Sequence, residues 1–401
     1  MPRIMLSVIV AAATLAACTS GGSSTPGSTS TTTDHTAGAP TPRHTAPPAI
    51  ATGWPTYHGN NMRTGVSPAR PLQPPLQRAW ATRLDGAVYA QPLVIGRVLV
   101  AATENNTVYA LDATTGRRIW KHHLGSPVPL QDLPCGNIDP LGITGTPVYD
   151  AQSGSVFVAT ETTGGHHTLH ALDLRTGRER WHRGLDVYPA RDRAAEQQRS
   201  ALLLTHGRVY VAFGGLFGDC GNYVGYVAAV GTDGSGPILH YAVPTAREAG
   251  IWSPAGPVQG KTLSDIFVAS GNGAEVGGSY DGSDSVIRLT PTLHEVGLFA
   301  PSTWSADNAA DLDLGSSSPV PLPSGQTVIA GKRGTVYLLD PDLGGVGGER
   351  AALDGCAAYG GAALAGARTV LMPCSDGVRR LNLGAHSMHW SWRLDGVAGS
   401  P

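Results

Sequence analysis

Four side chains in the second half of the chain are of types that could bind a planar ligand and a cation: Trp252, Asn272, Asp311 and Lys332. The flat face of a tryptophan can stack on a planar molecule. Amide and carboxylate oxygens are hard ligands that suit Ca²⁺. A lysine ammonium can stabilise negative charge that develops on a bound ligand. The four residues are far apart in the sequence, so a ligand site requires a fold that brings them together.

Three of these residues also have a purely structural interpretation. Trp252 could belong to a core between repeated units. Asn272 lies between two glycines, where a left-handed backbone is tolerated. Asp311 begins the sequence Asp-Leu-Asp, and aspartates often cap turns. The choice between the two interpretations therefore depends on the architecture that carries these residues.

Two histidine pairs, His122-His123 and His166-His167, together with His170, invite a metal-site interpretation. Adjacent residues of a strand point to opposite faces, and no carboxylate accompanies these histidines at ligand spacing. Hydrogen bonding at the surface or between repeated units is therefore the better interpretation.

The element that has to position these residues is a repeat. The segment 108–120 reads VYALDATTGRRIW, and the segment 169–181 reads LHALDLRTGRERW. A third copy at 378–390 keeps the length and the final tryptophan. Each copy combines an alternating apolar strand, an Asp/Thr/Gly turn and a second strand. Weaker echoes begin at Val227, Val286 and Val336.

The spacing of these six units predicts a β-propeller. Units of about 40 to 50 residues with paired strands are typical of propeller blades, and the longer intervals indicate inserted loops. A tryptophan at the end of each complete copy can lay its ring between neighbouring blades while its N–H finds a carbonyl. The tryptophans expected in this structural role are Trp120, Trp181 and Trp390.

The pattern Ala-x-Asp-x-x-Thr-Gly-x-x-x-Trp, found at 110–120 and 171–181, resembles the tryptophan-docking repeat of the pyrroloquinoline quinone (PQQ) propellers. The resemblance extends from about residue 54 to the end of the chain. It implies an all-β fold of four-stranded antiparallel blades arranged in a ring of seven or eight. Six blades and the start of a seventh are recognisable in this sequence.

The resemblance also implies roles for the four residues. Glu248 to Trp252 and Phe267 to Gly273 resemble elements in which the Trp forms the floor under the quinone and the Asn binds Ca²⁺. The stretch 304–319 resembles the segment of the catalytic base, which places that role, and a Ca²⁺ ligand, on Asp311. The stretch beginning at Ala330 resembles the strand whose Lys, here Lys332, contacts the quinone.

The sequence departs from the family pattern at several of these positions. The glycine-rich loop 213–226 lacks the family's Ca²⁺-binding Glu, and Asp219 is the only nearby acid in the sequence. Cys135 is followed by Gly136, so the vicinal cysteine pair of many of these enzymes is missing. Asn308 and Ala310 replace a His and a Trp before Asp311. These departures weaken the interpretation as an enzyme.

The first 52 residues are expected to contain a signal peptide and a tether rather than part of the propeller. Arg3 precedes an apolar run, and Leu15-Ala-Ala-Cys18 resembles a lipobox, which predicts a signal peptide at 1–17 and a lipidated Cys18. Residues 18–52 are rich in Ser, Thr, Gly and Pro, a composition typical of a disordered tether. We expect an extracytoplasmic protein that is lipid-anchored to the bacterial cell membrane, with the propeller at 53–401.

Composition and cysteines agree with an exported domain. Charged residues make up 14% of the chain and its formal net charge is −2, which argues against nucleic acid as a partner. Beyond Cys18 the even number of cysteines favours two disulfides, although three pairings are possible. Two adjacent strands of one blade favour the pairing of Cys356 with Cys374, and Cys135 with Cys220 follows by elimination.

The two ends of the predicted propeller raise a question of completeness. Trp80 to Gly86 matches Trp390 to Gly396 at most positions, which predicts an early outer strand that closes the ring. After Gly396 the sequence resembles the opening of a further inner strand. We therefore expect a propeller that is incomplete at its C-terminus, and a natural six-bladed ring is the alternative.

Two functions remain open from the sequence. The favoured one is a membrane-anchored binding or scaffolding propeller whose partner is an envelope protein or a small ligand. The alternative is a PQQ- and Ca²⁺-dependent dehydrogenase that oxidises alcohols or sugars. A quinone site requires Trp252, Asn272, Asp311 and Lys332 to converge, whereas a scaffold does not.

Overall fold

The structure, a computed structural model, describes residues 53–67, 73–187, 192–262, 264–397 and 399–401. The predicted signal peptide (1–17) and the predicted lipidated Cys18 with its tether (18–52) lie outside these residues. Within the described ranges no helix is long and apolar enough to cross a membrane. The helices are α1 (Trp304–Ala310) and 3-10 turns at Tyr57–Gly59, Leu130–Asp132, Arg193–Ala195 and Leu314–Ser316.

The strands of the described residues form six sheets that follow one another along the chain. Sheet 1 contains β1 (Gly53–Trp54), β2 (Leu93–Ile95), β3 (Val98–Thr103), β4 (Thr107–Asp112) and β5 (Arg118–His123). Sheet 2 contains β6 (Val148–Asp150), β7 (Ser155–Thr162), β8 (His166–Asp173) and β9 (Glu179–Gly184). Sheet 3 contains β10 (Glu196–Gln197), β11 (Leu203–Thr205), β12 (Arg208–Gly215), β13 (Tyr226–Gly231) and β14 (Leu239–Ala242).

The second half of the chain continues the pattern. Sheet 4 contains β15 (Val258–Gln259), β16 (Ile266–Ala269), β17 (Val286–Leu289) and β18 (Glu295–Ala300), and β22 (Gly345–Val346) pairs with β18 in parallel. Sheet 5 contains β19 (Val320–Pro321), β20 (Thr327–Ala330), β21 (Thr335–Leu339) and β23 (Ala351–Asp354). Sheet 6 contains β24 (Ala363–Leu364), β25 (Thr369–Cys374), β26 (Gly377–Leu383) and β27 (Met388–Asp395).

The repeat seen in the sequence corresponds to one defined strand of each sheet. The six units predicted to begin at 108, 169, 227, 286, 336 and 378 begin at or within one residue of the start of a strand in five sheets, and within three residues in sheet 2. That strand is the third main strand of its sheet, and in sheets 1, 2 and 6 its partner on the outer side carries the repeat tryptophan. The all-β propeller fold is confirmed, and the number of blades in a complete ring stays a prediction.

Successive sheets pack face to face, because alternate residues of a strand point to opposite sides. In β7, Phe157 joins a core cluster with sheet 3, whereas its neighbour Val158 joins a cluster with sheet 1. Both side chains are fully buried. Similar clusters connect sheet 3 to sheet 4, sheet 4 to sheet 5 and sheet 5 to sheet 6. This stacking of sheets is what a propeller requires.

The repeat tryptophans lie between sheets, as predicted. Trp120 of sheet 1 donates its indole N–H to Leu174 O of sheet 2 at 2.8 Å. Its ring covers Gly177, where a Cβ would lie 2.6 Å from the ring, and the backbone there has φ +71°. Trp181 of sheet 2 covers Gly234 of sheet 3 in the same way. The glycine of each turn therefore provides both the left-handed backbone and the space for the neighbouring ring.

Trp390 also lies between two sheets, but it contacts the sheet that precedes it. Its indole N–H donates to Asp354 O, at the end of sheet 5, at 2.9 Å. Its role between neighbouring sheets agrees with the expectation, and the direction of docking is the opposite of that seen for Trp120.

The prediction of a strand at 80–86 is wrong for the described residues. Trp80 donates to Ala113 O (3.1 Å) and Thr82 donates to Gly116 O (2.6 Å), so these side chains bond to the turn of sheet 1. A strand requires ladder hydrogen bonds from the backbone to a neighbouring strand. The segment nevertheless places an indole on Gly116 as Trp120 does on Gly177.

The segment 53–67 runs past the first strands of five sheets. Its first two residues pair with β2, and its Pro55 O accepts from Tyr149 N of sheet 2. Arg63, which is buried, donates to Leu202 O and Pro257 O, next to the first strands of sheets 3 and 4. Thr64 O accepts from Leu364 N of sheet 6. The inner strands therefore converge on one segment, as expected at the centre of a propeller.

Both disulfides have the favoured pairing, Cys135–Cys220 and Cys356–Cys374. The reason given for the second pair is wrong, because Cys356 follows β23 of sheet 5 and Cys374 ends β25 of sheet 6. The bond therefore joins two sheets rather than two strands of one blade. The strands that flank this pair in sequence belong to different sheets, and the sequence gives no sign of that boundary.

Candidate functional site

The four predicted site residues lie at the ends of elements in sheets 3, 4 and 5. Trp252 follows Ile251, whose N–H donates to Phe213 O of β12 at 3.0 Å. Asn272 comes three residues after the end of β16, Asp311 immediately follows α1, and Lys332 lies two residues beyond β20. Residues that end strands are well placed for function, because rigid sheets fix their positions.

The structure brings all four residues together. The Lys332 ammonium lies 2.7 Å from Asp311 Oδ1, and the Asn272 side-chain amide donates to the same oxygen at 3.0 Å. The Lys332 Nζ lies 5.8 Å from the centroid of the Trp252 ring. The convergence that a ligand site requires is therefore present in the fold.

A fifth residue, Asp313, lies at the centre of this group and was not among the predicted site residues. Its carboxylate is buried, forms an ion pair with Lys332 and accepts the Asn272 backbone N–H at 2.8 Å. A Cβ on Gly271 would lie 2.2 Å from Asp313 Oδ1 and 3.0 Å from Trp252 Nε1. Glycine at 271 is therefore what allows the buried carboxylate and the indole to approach each other.

Burial and the ion pair determine the charges of these groups. Burial raises the pKa of Asp313, while Lys332 opposes that shift. Burial by itself lowers the pKa of Lys332, but Asp313 and Asp311 more than offset this, so its pKa is raised. Lys332 is therefore held as a cation between two aspartates.

Helix α1 holds Asp311 at the edge of the site. Asp311 ends the helix with a left-handed backbone, φ +53°, and its side chain is largely exposed. Asn308, which replaces a family histidine, accepts the Gly273 N–H at 2.9 Å and so ties the helix to the segment after β16. Asp307 of the helix pairs with Arg333, next to Lys332. Asn308, although it differs from the family residue, thus connects the helix to the site.

Arg199 adds a second cation, which was not among the residues predicted from the sequence. Its guanidinium carbon lies 4.4 Å from the centroid of the Trp252 ring, a cation–π contact. Its Nε is buried and has no hydrogen-bond partner among the described residues. Burial lowers the pKa of Arg199, whereas Asp219, Tyr223 and Asp313 raise it. A buried guanidinium with an unused donor is suited to bind an anionic group.

The other side of the site is rich in oxygen atoms. Asn272 Oδ1 is buried and has no hydrogen-bond partner among the described residues. The backbone of Glu248 pairs with Gly273, directly beside Asn272, and Ala249 N donates to Asn272 O. Burial raises the pKa of Glu248, Arg247 lowers it, and Asp219 and Asp313 raise it further. The Glu248 backbone therefore lies beside Asn272, and its carboxylate is close enough to Asp219 and Asp313 to interact with their charges.

Asp219 is held by its own loop. Its carboxylate accepts a hydrogen bond from the Tyr223 hydroxyl at 2.5 Å, and its backbone has φ +48°. Its approach to Glu248 arises from chain segments that are well separated in sequence, which explains why sequence inspection found Asp219 alone. Cys220, next to it, is bonded to Cys135 and fixes the loop.

The histidines form two further clusters in sheet 2. His167 is fully buried and lies 3.4 Å from Glu161 and 3.2 Å from Asp186, so of the two expected placements, at the surface or between repeated units, the surface does not apply to it. His170 lies 2.6 Å from Glu179, although the sequence suggested no carboxylate at ligand spacing. Hydrogen bonding between blades does occur at His122, whose Nδ1 lies 2.7 Å from Gly177 O of sheet 2.

Comparison with known proteins gives relatives of two kinds. Residues 77–215 match the family model described as outer membrane protein assembly factor BamB. The chain is 28% identical over 284 residues to polyvinylalcohol dehydrogenase of Sphingopyxis sp. (strain 113P3), covering 63% of this chain and 39% of that protein. It is 25% identical over 297 residues to quinohemoprotein alcohol dehydrogenase ADH-IIG of Pseudomonas putida, covering 67% and 38%. It thus spans less than half the length of these relatives.

Solved structures support the fold. The structure is similar to a europium-containing methanol dehydrogenase, with a TM-score of 0.62 and 16% identity, covering 82% of this chain and 70% of that one. Quinohemoprotein alcohol dehydrogenase from Comamonas testosteroni gives a TM-score of 0.59 at 17% identity, covering 83% of this chain and 59% of that one. BamB from Moraxella catarrhalis gives a TM-score of 0.50 at 15% identity, covering 79% of this chain and 76% of that one. At these identities the similarity establishes the propeller fold alone.

Proposed function

We propose that this chain, which belongs with the β-propellers of PQQ-type repeats, binds a planar anionic quinone of the PQQ kind together with Ca²⁺ and serves the oxidation of alcohols or sugars. The observation that carries the proposal is the convergence of Trp252, Asn272, Asp311 and Lys332, which a scaffold does not require. The two relatives in sequence are both dehydrogenases by name.

The cationic side of the site fits the quinone. PQQ is flat and carries carboxylates, so it calls for an aromatic face and positive charges. Trp252 supplies the face, and Arg199 and Lys332 supply two cations within 6 Å of its ring. Arg199 Nε is a buried donor with no partner among the described residues, which a ligand carboxylate would satisfy. When bound, the quinone supplies the hydride acceptor that no protein side chain provides.

The oxygen-rich side of the site fits a hard cation. Asn272 Oδ1 is a buried acceptor with no partner among the described residues, and leaving such an atom unsatisfied is costly. A Ca²⁺ ion bound there would satisfy it, with carboxylate ligands from Asp311 and from Glu248 or Asp219. These two acids would replace the Glu that the family pattern places in the glycine-rich loop.

Asp311 is placed to accept a proton from a substrate hydroxyl. Its Oδ1 is held by Lys332 and by the Asn272 amide, whereas its Oδ2 has no hydrogen bond among the described residues. The carboxylate is largely exposed, so a substrate can approach it. Lys332 and Asn272 orient the group, and Asp313 balances the charge of Lys332. Proton transfer to Oδ2 is the step that this arrangement supports.

The proposal is tested by titrating PQQ and Ca²⁺ into the full chain while tryptophan fluorescence is recorded. We expect saturable quenching that weakens at least tenfold in Trp252→Ala, because the stacking face is lost. Trp392→Ala is the matched control, since this tryptophan is exposed on the last strand of sheet 6. Asp311→Asn is expected to abolish dye-linked oxidation of alcohols. Identical binding in Trp252→Ala and Trp392→Ala, or no quenching at all, would contradict the proposal.

A second candidate function is that of a scaffold or protein-binding propeller at the membrane. It is supported by the match of residues 77–215 to the BamB family model. The sequence around Cys18 adds a proposed lipid anchor and an extracytoplasmic location. Replacing Cys18 by Ser should then release the protein from the membrane fraction. Absence of quinone binding together with loss of membrane association in this variant would favour the scaffold.

A further inference from the structure

A cluster of two histidines and a glutamate lies in sheet 2, on the strand pair β8 and β9. His170 is opposite His182 in the antiparallel register. The register shifts between Ala171 and Leu172, so Arg180 is an extra residue, and Glu179 comes to the same side as His182. Glu179 Oε1 lies 2.6 Å from His170 Nδ1 and 3.3 Å from His182 Nδ1. The β-bulge therefore assembles three donor groups that strict alternation would separate.

Hydrogen bonds behind His170 allow its Nδ1 to act as a metal ligand. Nε2 lies 3.1 Å from Thr160 Oγ1. That hydroxyl is 3.5 Å from Thr168 O, a carbonyl that only accepts, so the hydroxyl can donate there and accept from Nε2–H. With the proton on Nε2, Nδ1 can bind a cation, which would take the place of the hydrogen bond between Nδ1 and Glu179 Oε1. A hydrogen bond that fixes the distal ring nitrogen is the usual support of a metal-binding histidine.

We propose that His170, Glu179 and His182 form a binding site for a late first-row divalent cation such as Zn²⁺. Their three ligand atoms lie within 4.8 Å of one another. Two imidazoles and one carboxylate suit Zn²⁺ and its neighbours better than Ca²⁺, which prefers oxygen ligands throughout. The site lies on sheet 2, on residues that the proposed quinone site does not use. The cation-binding proposal therefore does not depend on the proposed function.

The cluster is open to solvent. His182 is exposed and Glu179 is partly exposed, so a metal ion can reach it. Water can then complete the coordination of the ion.

The test is Zn²⁺ titration of the full chain, previously treated with chelator, by calorimetry and by competition with a chromophoric chelator. We expect one Zn²⁺ per chain and binding at least tenfold weaker in His182→Ala and in Glu179→Gln. His389→Ala is the matched control, because His389 is also an exposed histidine on the last strand of its sheet. We expect it to bind Zn²⁺ as the unchanged chain does.

Two further measurements keep the result interpretable. Circular dichroism and thermal unfolding in the presence of chelator should be the same for His182→Ala and for the unchanged chain, because the side chain is exposed. Co²⁺ bound in place of Zn²⁺ should give visible absorption that His182→Ala reduces. Equal affinity in His182→Ala and His389→Ala, or no Zn²⁺ binding by the unchanged chain, would overturn the proposal.

Discussion

Sheets 1 and 2 are built on the same repeat, and they differ at the positions where chemistry is possible. In sheet 1, Asp112 Oδ1 accepts three hydrogen bonds, from Thr114 N and from the N–H and hydroxyl of Thr115. In sheet 2, Asp173 Oδ1 accepts the same three, from Arg175 N and from both groups of Thr176. The residues that make the turn therefore perform the same structural task in both sheets.

Three side chains of the strand pair that surrounds the turn differ in type between the two sheets. The register aligns Tyr109 with Lys121 in sheet 1 as it aligns His170 with His182 in sheet 2. The same bulge occurs in both pairs, so Arg118 is the counterpart of Glu179. Turn, bulge and tryptophan create the geometry, and the face between them accepts different side chains. A propeller can therefore acquire a site in one blade without disturbing the repeat.

The largest effect is expected where the two sheets are alike. We predict that Trp120→Ala and Trp181→Ala each reduce the free energy of unfolding by about 3 kcal/mol, because each ring fills the space over a glycine turn of the next sheet. Denaturant unfolding measures the loss. Trp392→Ala, at an exposed position, should change it by about 0.5 kcal/mol or less. Losses as small as this control in both docking variants would show that docking does not stabilise the ring.

A second comparison concerns two buried glutamates at equivalent positions, Glu104 after β3 and Glu161 in β7. Burial raises the pKa of Glu104 to about 7, and its Oε2 accepts the Gly142 N–H. Burial also raises the pKa of Glu161, and His167, 3.4 Å away, reduces that rise without cancelling it. Burial lowers the pKa of His167, but Glu161 and Asp186 raise it to about 10, so His167 is a cation.

The two glutamates should respond to amidation with opposite signs. A carboxyl group whose pKa is raised on folding makes the folded protein less stable as pH rises from the unfolded pKa of the group to its folded pKa. Glu104→Gln should therefore leave unfolding nearly unchanged at pH 4 and stabilise the protein by about 2 kcal/mol at pH 8. Glu161→Gln removes a counter-ion of the His167 cation and should destabilise by about 2 kcal/mol at pH 8. Equal signs at pH 8 would contradict the comparison.

The sequence predicted the parts of the molecule that are local or repeated. The Asp-x-x-Thr-Gly turn and the closing tryptophan are read within one unit, so the six strand starts and the positions of Trp120 and Trp181 could be predicted. The family resemblance selected Trp252, Asn272, Asp311 and Lys332 as candidates, but it left their convergence as the test between the two functions. Selecting the residues did not require knowledge of which segments meet in space.

The remaining parts depend on contacts between distant segments. Arg199 stacks on Trp252, which lies in a different connection between sheets. Glu248 reaches Asn272 through an isolated backbone bridge, and Asp313 is distinguished from Asp311 only by its burial. The cluster of His170, Glu179 and His182 was missed because alternation separates Glu179 from His182, and the bulge that reunites them leaves no clear mark in the sequence.

The cluster of sheet 2 can be transferred to sheet 1 by substitution. The triple variant Tyr109→His, Arg118→Glu and Lys121→His places the same three groups on the same register and bulge. We expect it to bind a second Zn²⁺ with an affinity at least tenfold above that of the double variant that keeps Lys121. Calorimetry gives both stoichiometry and affinity. A triple variant that binds one Zn²⁺ would show that the bulge alone does not define the site.

The smallest effect is expected at the bulged residue itself, which is Arg180 in sheet 2 and Ile119 in sheet 1. Although burial raises the pKa of Asp173, Arg180 and Thr176 lower it to about 2. In sheet 1 the pKa of Asp112 is lowered chiefly by Thr115. NMR titration should therefore find Asp173 the more acidic of the two. Arg180→Ile, which copies sheet 1, should raise the pKa of Asp173 and reduce this difference.

The consequence for stability has a defined sign. A carboxyl whose pKa is depressed on folding adds stability above its unfolded pKa, and this stability is lost as pH falls through the folded value, about 2 for Asp173. Because Arg180 and Asp173 are partly exposed, their pair should contribute less than about 1 kcal/mol at pH 7. Arg180→Ile should therefore destabilise slightly at pH 7 and not at pH 2. A loss that is equal at both pH values would mean that Arg180 acts through packing, and the two bulges would then differ in shape rather than in charge.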